Sequence, residues 1–354
     1  MADLAISLGP IRLKNPLICA SSEFTMTAAG IRACLAAGAA AVVAKSINES
    51  PLAARQLQSA DYLLLGPDWA PTGWEAPAAA TSLFCRSGLP RISLDDWLQL
   101  LSELDSQAQR MDAYVVGSIT ASSPEGARDI ARGLGRAVRW LELNLGAPYG
   151  REAAGAVRLL TEPEQVREFV RPVRAAVDVP LTVKLSGQAS DLVPLARAAA
   201  DEGADMVALM GRFPAFLPDL ETLGPVLGSW GAIGGGWALP ITLYWLSRCR
   251  RALGPTLPLI GTNGARSGLD LARFLLSGAH AVQIATALLT HGPACIPSFL
   301  AELAGYLDRK GIARVDALVG LAADRAAEFS ELPPRPPEAA YPWERFLGGE
   351  GGRQ

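Results

Sequence analysis

Histidine is scarce in this chain, and its cysteines are scattered. The sequence has only His280 and His291 and no H-E-x-x-H pattern, so a histidine-based metal site or catalytic triad has little material. Its five cysteines show no C-x-x-C spacing, which argues against zinc, an iron–sulfur cluster and a disulfide framework. We therefore expect no metal site, and a reducing cytoplasm fits this use of cysteine best.

Long apolar runs and basic clusters are also missing. The longest apolar stretch, 33–44, is too short to cross a bilayer, and the N-terminus shows no basic segment followed by a hydrophobic one. The net charge of -3 leaves no basic stripe for nucleic acid. With 354 residues, half of them apolar, the chain can bury a large core. These features predict a soluble globular protein without a membrane or nucleic-acid partner.

Lysine occurs only four times, and two of these lysines end apolar runs that are typical of buried strands. Lys45 follows the run 39–44, and Lys184 closes the run 180–184. A lysine at the mouth of a buried strand loses solvation unless an anion or a strong acceptor meets it. A salt bridge or a side chain that reaches solvent would explain one such lysine. Two in parallel contexts favour a shared anionic ligand.

Short apolar runs alternate with amphipathic stretches along the chain and give eight candidate strands. The runs are 16–20, 40–45, 113–118, 140–144, 181–185, 206–210, 258–261 and 281–285. This alternation predicts an α/β fold, namely a closed (β/α)8 TIM barrel, although a doubly wound sheet uses the same elements. The active site of such a barrel lies at the carboxyl ends of its strands, where Lys45, Asn144 and Lys184 fall.

Two segments depart from this alternation. We expect one barrel domain over 1–310 with a proline- and tryptophan-containing excursion at 56–84, of the kind that often covers an active site. Residues 311–354 are expected to form a C-terminal helix and a proline-rich extended tail. The aromatic cluster of that tail could dock on the barrel or a neighbouring subunit, and disorder is an equal alternative.

Small residues gather around the last two predicted strands. A glycine-rich loop is expected at 230–236, and further small residues follow at 261–264 and 283–287. Such positions let backbone N–H groups approach an anion, and helix starts add favourable dipoles. Many barrels hold a phosphate after strands seven and eight. Glycine is common in tight turns whether or not they bind a ligand. The evidence for an anion site is therefore the occurrence of three such segments together.

The order of these segments resembles a known family. The matching pieces are Asn15–Ser22, Ala44–Ser46, Leu141–Asn144, Val183–Lys184, Gly234–Gly235 with Pro240, Asn263–Gly264, Gln283–Leu288 and Gly292–Pro293. They resemble the FMN-dependent dihydroorotate dehydrogenases and the related flavin domain of dihydropyrimidine dehydrogenase. The resemblance covers roughly residues 5 to 310 outside the excursion.

The resemblance implies FMN as the cofactor. Ala20 and Ser21 would line the flavin, Lys45 would contact its ring region or ribityl chain, and Lys184 would lie beside the N1/O2 edge. A fixed cation there stabilises the negative charge of the reduced flavin. The complete set that we expect around the cofactor is Ala20, Ser21, Lys45, Ser46, Asn144, Lys184, Gly234, Gly235, Asn263, Gly264, Ala285 and Thr286. The last six would form the phosphate cradle, although the family usually has glycine where Asn263 and Ala285 stand.

The substrate side departs from the family pattern. The family carries a Cys or Ser base in the loop after strand four, whereas this chain reads Asn144-Leu-Gly-Ala-Pro-Tyr149, with Ala147 at the base position. Alanine cannot accept a proton, and general-base catalysis contributes roughly 100- to 10,000-fold. We therefore expect a substrate other than dihydroorotate, with Asn144 and Glu23 as the candidate catalytic residues.

Two substrate-binding amides of the family also lack counterparts. Their positions align with Gly211 and, more loosely, with Cys85. A site built for particular hydrogen bonds rejects ligands that lack them, so a changed site indicates a changed ligand. The polar residues that could reshape the pocket are Glu23, Tyr149, Arg151 and Arg212.

Three functions remain open from the sequence. The first is an FMN-dependent oxidoreductase that exchanges hydride at flavin N5, and the second is a flavin- or partner-binding protein that has lost catalysis. The third is a lyase or aldolase on the same barrel, in which Lys184 forms a Schiff base. The resemblance also implies a homodimer. No nicotinamide-binding fingerprint and no cluster ligands are present, so we expect electrons to come from a soluble small molecule or from a separate electron-transfer protein.

Overall fold

The computed structural model describes residues 2–75, 81–146, 160–336, 341–343 and 346. The chain divides into two compact units, Met1–Asp324 and Arg325–Gln354. The described part of the chain has no helix that is long and apolar enough to span a membrane.

Fifteen strands are described, most of them three to six residues long. In chain order they are β1 Ile6–Leu8, β2 Ile11–Leu13, β3 Leu17–Cys19, β4 Ala41–Val43, β5 Asp61–Leu65, β6 Pro71–Thr72, β7 Ser82–Arg86, β8 Tyr114–Ile119, β9 Leu141–Asn144, β10 Leu181–Lys184, β11 Met206–Leu209, β12 Phe213–Ala215, β13 Gly231–Gly235, β14 Leu259–Thr262 and β15 Ala279–Ile284.

The described α-helices alternate with the buried strands. They are α1 Ala28–Ala36, α2 Pro51–Arg55, α3 Leu94–Gln109, α4 Pro124–Ala137, α5 Pro163–Arg174, α6 Val193–Asp201, α7 Leu239–Leu253, α8 Gly268–Leu276, α9 Thr286–His291 and α10 Cys295–Lys310. Short 3-10 turns lie at Glu23–Met26, Gln56–Ser59, Gly236–Ala238, Val315–Leu318, Ala323–Arg325 and Phe329–Glu331.

Eight parallel strands close into a barrel, which confirms the predicted (β/α)8 TIM barrel. Around the barrel they follow the order β3, β4, β8, β9, β10, β11, β14 and β15, after which β15 pairs again with β3. Each of the eight predicted apolar runs supplies one of these strands. The strands form where apolar residues are buried on both faces, as parallel barrel strands require, and β4 and β11 are buried throughout.

The helices cover the barrel through one apolar face each. In α4 the buried residues Ala127, Ile130, Ala131 and Leu134 recur at helical spacing. The helix begins after Ser123, whose hydroxyl accepts a hydrogen bond from the backbone N–H of Gly126 at 3.0 Å. Helix α8 begins in the same way after Ser267. Local capping therefore fixes where the helices turn back onto the barrel.

A second, antiparallel sheet of five strands adds to the barrel in the order β12, β13, β7, β5 and β6. The predicted excursion 56–84 contributes a 3-10 turn, β5, β6 and most of β7. The glycine-rich segment predicted as a loop at 230–236 is instead strand β13 over most of its length. It pairs with β7 because its glycines permit close approach: a Cβ on Gly235 would lie 3.0 Å from the Oγ of Ser82.

The C-terminal region follows α10, which ends at Lys310. In the described residues from 311 onward the helical segments are the 3-10 turns already given, and the helix expected within 311–354 stays a prediction. Within the second unit, the Arg335 guanidinium lies 4.4 Å from the ring centre of Tyr341, which stacks on Trp343 at 4.7 Å. The predicted domain boundary at 310 stays a prediction.

Candidate functional site

A cavity of about 660 Å³ opens at the carboxyl ends of the barrel strands. Residues that follow β3, β4, β9 and β10 line one side of it, and residues of β7, β12 and β13 line another. The second sheet therefore supplies a wall of the cavity, as the excursion was expected to do. The volume falls in the range of small-molecule sites, roughly 300–1,000 Å³.

The cavity gathers nearly all of the residues predicted around the cofactor. Gly234 is the exception: it is buried in β13, and a Cβ there would lie 3.1 Å from the Asn263 Oδ1. Ala147, Tyr149 and Arg151 lie outside the described residues, so the base position stays a sequence observation. The predicted residues that line the cavity are Ala20, Ser21, Glu23, Lys45, Ser46, Asn144, Lys184, Gly235, Asn263, Gly264, Ala285 and Thr286.

Lys184 is held from inside the barrel. Its Nζ donates to the Gln283 Oε1 at 2.6 Å, and the Gln283 Nε2 donates to the Glu142 Oε2 at 2.6 Å. The other carboxylate oxygen, Glu142 Oε1, lies 3.8 Å from the lysine Nζ. Burial lowers the pKa of Lys184, while the carboxylate of Glu142 raises it and the Arg212 guanidinium lowers it further.

Lys45 is held differently, by an ion pair at the cavity wall. Its Nζ lies 2.5 Å from the Glu23 Oε1 and 3.1 Å from the Ser87 Oγ, and Ser87 donates to the same carboxylate oxygen at 2.9 Å. Burial alone would raise the pKa of Glu23, but Lys45, Arg212 and the hydroxyl of Ser87 lower it to about 2. Glu23 is therefore a carboxylate at neutral pH and a poor proton acceptor, which weakens its predicted catalytic role.

Three serine hydroxyls connect neighbouring strand ends beside this pair. The hydroxyls of Ser21 and Ser46 lie 3.2 Å apart, and the hydroxyls of Ser46 and Ser118 lie 2.8 Å apart. The backbone N–H of Ser46 also donates to the Ser21 Oγ at 3.1 Å. This series of hydrogen bonds fixes the predicted residues Ser21 and Ser46 relative to each other, so the cavity floor is preorganised.

The predicted phosphate cradle has unusual backbone geometry. Asn263 and Gly264 both have positive φ angles, 71° and 119°. A Cβ on Gly264 would lie 2.6 Å from the backbone of Leu239, the first residue of α7, so only glycine lets the two segments meet. The Asn263 amide accepts from the Gly235 N–H at 3.2 Å and donates to the Gly211 carbonyl at 3.1 Å. Asn263 therefore joins β13 to the end of the barrel.

Arg212 lines the cavity next to Gly211, one of the two positions where the family resemblance implies an amide. Its guanidinium donates to the Cys85 Sγ, and it is close enough to influence the pKa values of Glu23, Lys45 and Lys184. Burial raises the pKa of the Cys85 thiol more than Arg212 lowers it, so the thiol stays protonated. The two positions without amides, Gly211 and Cys85, thus flank one arginine.

The charged groups along the described cavity wall are mostly cations. Five of them are lysine or arginine, whereas Glu23 is the one carboxylate among the described lining residues. Carboxylates behind the wall accompany three of these cations: Asp61 lies 3.8 Å from Arg86, Glu142 lies 3.8 Å from Lys184, and Asp270 lies 3.9 Å from Arg266. The cations are Lys45, Arg86, Lys184, Arg212 and Arg266.

Sequence reasoning missed several of the residues that build this site. Glu142 and Gln283 fall within segments that match the family, but sequence reasoning assigned them no role of their own. Ser87, Arg86 and Arg266 were assigned none either. Glu142 carried a usable signal, because an acidic residue inside a buried parallel strand requires a partner. Arg266 lies two residues after Gly264, yet nothing in the sequence indicated that its side chain turns toward Gly236.

A parallel barrel with a preformed, cationic cavity at the carboxyl ends of its strands defines the class of (β/α)8 barrel enzymes that bind anionic ligands. Comparison with known proteins narrows this class. Residues 68–307 match the model of a family described as dihydroorotate dehydrogenase.

Among curated proteins, the chain is similar to proteins named dihydroorotate dehydrogenase B (NAD(+)), catalytic subunit. The relative from Pyrococcus abyssi is 31% identical over 90% of this chain and 99% of its own length. The relative from Methanocella arvoryzae is 30% identical over 90% and 97%. The chain therefore belongs to the dihydroorotate dehydrogenase family, and it is an oxidoreductase of this type whose cofactor is FMN.

The described cavity fits such a cofactor. The buried Thr120 Oγ1 and Gln188 Oε1 both belong to lining residues and have no hydrogen-bond partner within the described chain, so a polar ligand would satisfy them. Lys184 and Lys45 would meet anionic parts of FMN, and the small residues Gly264 and Ala285 leave room for close approach.

Proposed function

We propose that this protein is an FMN-dependent oxidoreductase that acts on a small anionic substrate other than dihydroorotate. The observation that supports the anionic charge of the proposed substrate is Arg212, a guanidinium that lines the cavity. A guanidinium binds carboxylate or phosphate oxygens better than it binds a neutral amide edge. Dihydroorotate is itself a carboxylate, so its exclusion rests on Ala147 at the base position.

FMN supplies the hydride chemistry when it is bound, and the residues of this chain bind, orient and charge the site. Lys184 places a fixed cation in the cavity, held by Gln283. Both lysines have a carboxylate nearby, since Glu23 lies 2.5 Å from Lys45 and Glu142 lies 3.8 Å from Lys184. Arg212 provides a further donor for a substrate anion.

The sequence at position 147 supports a changed reaction. Ala147 stands where the family resemblance implies a Cys or Ser base, and Glu23 cannot replace that base because Lys45 and Ser87 hold it as a stable carboxylate. A substrate with a more acidic proton, or one whose proton is exchanged with water, would not need the missing group. Dihydroorotate oxidation would be slow in this site.

Dihydroorotate is the rival substrate, because the curated relatives are named as dihydroorotate dehydrogenases. The Schiff-base alternative is not favoured. A Schiff-base lysine must become a neutral, free amine, whereas Lys184 donates to Gln283 and lies beside the carboxylate of Glu142.

We also propose a separate electron-transfer partner. The curated relatives carry the words "catalytic subunit" in their names, which indicates that a further subunit accompanies them. Homodimerisation and a cytoplasmic location stay predictions from the sequence. Co-expression of the chain with a tagged candidate electron-transfer protein, followed by size-exclusion chromatography, tests the partner: co-elution supports it, and separate elution with no electron transfer contradicts it.

The substrate proposal is tested on purified, FMN-loaded protein. We expect reduction of the bound flavin by dihydroorotate to be at least about 100-fold slower than in an Ala147→Cys variant, since a base is restored. A panel of reduced carboxylate- and phosphate-bearing heterocycles should contain one that reduces the wild-type flavin rapidly. Rapid reduction of the wild-type flavin by dihydroorotate would overturn the proposal in favour of the rival.

A further inference from the structure

The strongest unused feature of the site lies beneath it, in the interior of the barrel. Glu142 is 1% exposed, and it lies on β9 between the buried residues Leu141 and Leu143. Its Oε2 accepts a hydrogen bond from the Gln283 Nε2, whereas its Oε1 has no hydrogen-bond partner within the described chain. A buried carboxyl oxygen without a hydrogen bond costs free energy unless another group interacts with it.

That interaction comes from Lys184 on the adjacent strand. In the paired register of β9 and β10, Lys184 lies opposite Asn144, and its side chain reaches back to Gln283 and to within 3.8 Å of the Glu142 Oε1. Gln283 lies on β15, across the barrel, and connects the two charged groups through its carbonyl and its amide. Three strands thus contribute to one chain of contacts that ends at the cavity.

Two factors oppose the protonation of Lys184, namely a nearby cation and burial. Arg212, which follows β11, repels the ammonium, and burial removes its hydration. Neighbouring barrel positions on β11 are apolar: Met206, Val207 and Ala208 pair with β10 and carry no charge. Glu142 is therefore the one carboxylate among the described residues found to raise the pKa of Lys184.

We propose that Glu142, acting through Gln283, is a positioning residue that keeps Lys184 charged and turned toward the cavity. The inference rests on the proposed function only for the presence of FMN beside Lys184. The charge of the Lys184 amine can be measured on the protein without FMN. Removing the carboxylate should let Lys184 lose its proton at a pH where the wild-type residue keeps it.

The scarcity of lysine makes a direct measurement simple. Trace acetylation with acetic anhydride modifies only neutral amines, and peptide mass spectrometry can follow Lys14, Lys45, Lys184 and Lys310 separately. The exposed Lys310, the last residue of α10, is the internal reference. The experiment uses the full chain after FMN removal, with circular dichroism to confirm that each variant is folded.

In the Glu142→Gln variant, the acetylation rate of Lys184 relative to Lys310 should rise at least about tenfold at neutral pH, equivalent to a pKa lower by about one unit. The Thr182→Val variant is the matched control. It removes a buried hydroxyl from β10, the strand that carries Lys184. That hydroxyl accepts a hydrogen bond from the Trp140 Nε1 at 2.9 Å, and its loss should leave the acetylation rate of Lys184 unchanged.

A second variant protects the test against misfolding of the first. Gln283→Met breaks the bridge while keeping Glu142, and it should also raise the acetylation rate of Lys184. In the FMN-loaded protein, Glu142→Gln should add a pH-dependent change to the visible flavin spectrum that the double variant with Lys184→Met lacks. A wild-type acetylation rate for Lys184 in both Glu142→Gln and Gln283→Met would overturn the inference, whether or not FMN binds.

Discussion

The Nζ of Lys45 lies 2.5 Å from the Oε1 of Glu23, and both side chains belong to the cavity wall. Ser87 bonds to both partners, so the pair is a small closed network. The pair reduces the positive charge at one point of the cavity, and the carboxylate of Glu142 reduces it at Lys184. The distribution of charge in the site therefore depends on Glu23 as much as on its lysines.

Replacing Glu23 by glutamine should destabilise the protein at neutral pH by about 3 kcal/mol, the low end of the cost of breaking a buried ion pair. The pKa of Lys45 is itself lowered because burial outweighs the attraction of Glu23, which keeps the expected loss small. Urea unfolding of the Glu23→Gln variant and the wild type at pH 7 measures it. A Lys45→Met, Glu23→Gln double variant should recover part of the stability, since no unpaired charge then remains.

The same pair gives the stability a defined dependence on acid. The pKa of Glu23 falls from its ordinary 4.5 to about 2 on folding, so its stabilisation is complete above about pH 4.5 and is lost as the pH falls toward about 2. The difference in unfolding free energy between wild type and Glu23→Gln should shrink across this window. A difference that stays constant from pH 5 to pH 3 would contradict the assigned ion pair.

The barrel strands were predictable because each is a short apolar run followed by an amphipathic helix, and this pattern is local. Strand β13 was not predictable, because its glycines indicate a turn unless the partner is known, and that partner, β7, is about 150 residues earlier in the chain. The sequence around Lys45 and Lys184 indicated a site, but it did not indicate the partners of these lysines. Lys184 meets Gln283 at a separation of 99 residues, a pairing that only barrel closure creates.

A second buried carboxylate should matter for stability rather than for chemistry. Asp105 at the end of α3 accepts hydrogen bonds from the backbone N–H groups of Val115 and Arg139 at 3.0 and 3.1 Å and from the Arg139 guanidinium at 2.8 Å. Its removal would leave all of these donors without their acceptor. We expect the Asp105→Ala variant to lose about 3–5 kcal/mol in urea unfolding while its flavin spectrum, once folded, stays that of the wild type.

The exposed pair on α4 provides the control for this prediction. Asp129 contacts the Arg128 Nε at 2.9 Å, but both side chains are exposed. Solvent screening makes such pairs weak, so Asp129→Ala should leave the unfolding midpoint unchanged. Equal losses in the two variants would show that burial does not determine the stability effect of Asp105.

Gly264 should tolerate no side chain. Its φ of 119° is unfavourable for any other residue, and an added Cβ would lie 2.6 Å from the backbone of Leu239. Gly264→Ala should therefore move the start of α7, lower stability by roughly 1–3 kcal/mol, and reduce the FMN content of the purified protein. Flavin absorbance per polypeptide and thermal unfolding measure the two effects.

Gly305 in α10 is the matched control, because a Cβ there meets only the end of the Arg309 side chain at 3.6 Å. Alanine is the better helix former, so Gly305→Ala should raise stability by roughly 0.5–1 kcal/mol without changing FMN content. Loss of FMN in the Gly305 variant but not in the Gly264 variant would place the cradle elsewhere.

His280 should produce a separate pH effect at mildly acidic pH. Burial, aided by the nearby charge of Arg250, lowers its pKa from 6.5 to about 4, and its Nδ1 accepts from the Leu259 N–H at 3.4 Å. In the unfolded chain the His280 imidazole binds a proton near pH 6.5, whereas in the folded chain it does so only near pH 4. Stability should therefore fall by about 3 kcal/mol as the pH is lowered through this window.

Replacement by asparagine keeps a hydrogen-bond acceptor but cannot titrate. The His280→Asn variant should show a flatter dependence of the unfolding free energy on pH between 6.5 and 4 than the wild type does. The window lies above that of Glu23, so urea unfolding at pH 7, 6, 5 and 4 separates the two groups. An unchanged slope in His280→Asn would show that this histidine is protonated in the folded protein, and that its burial does not exclude the charged form.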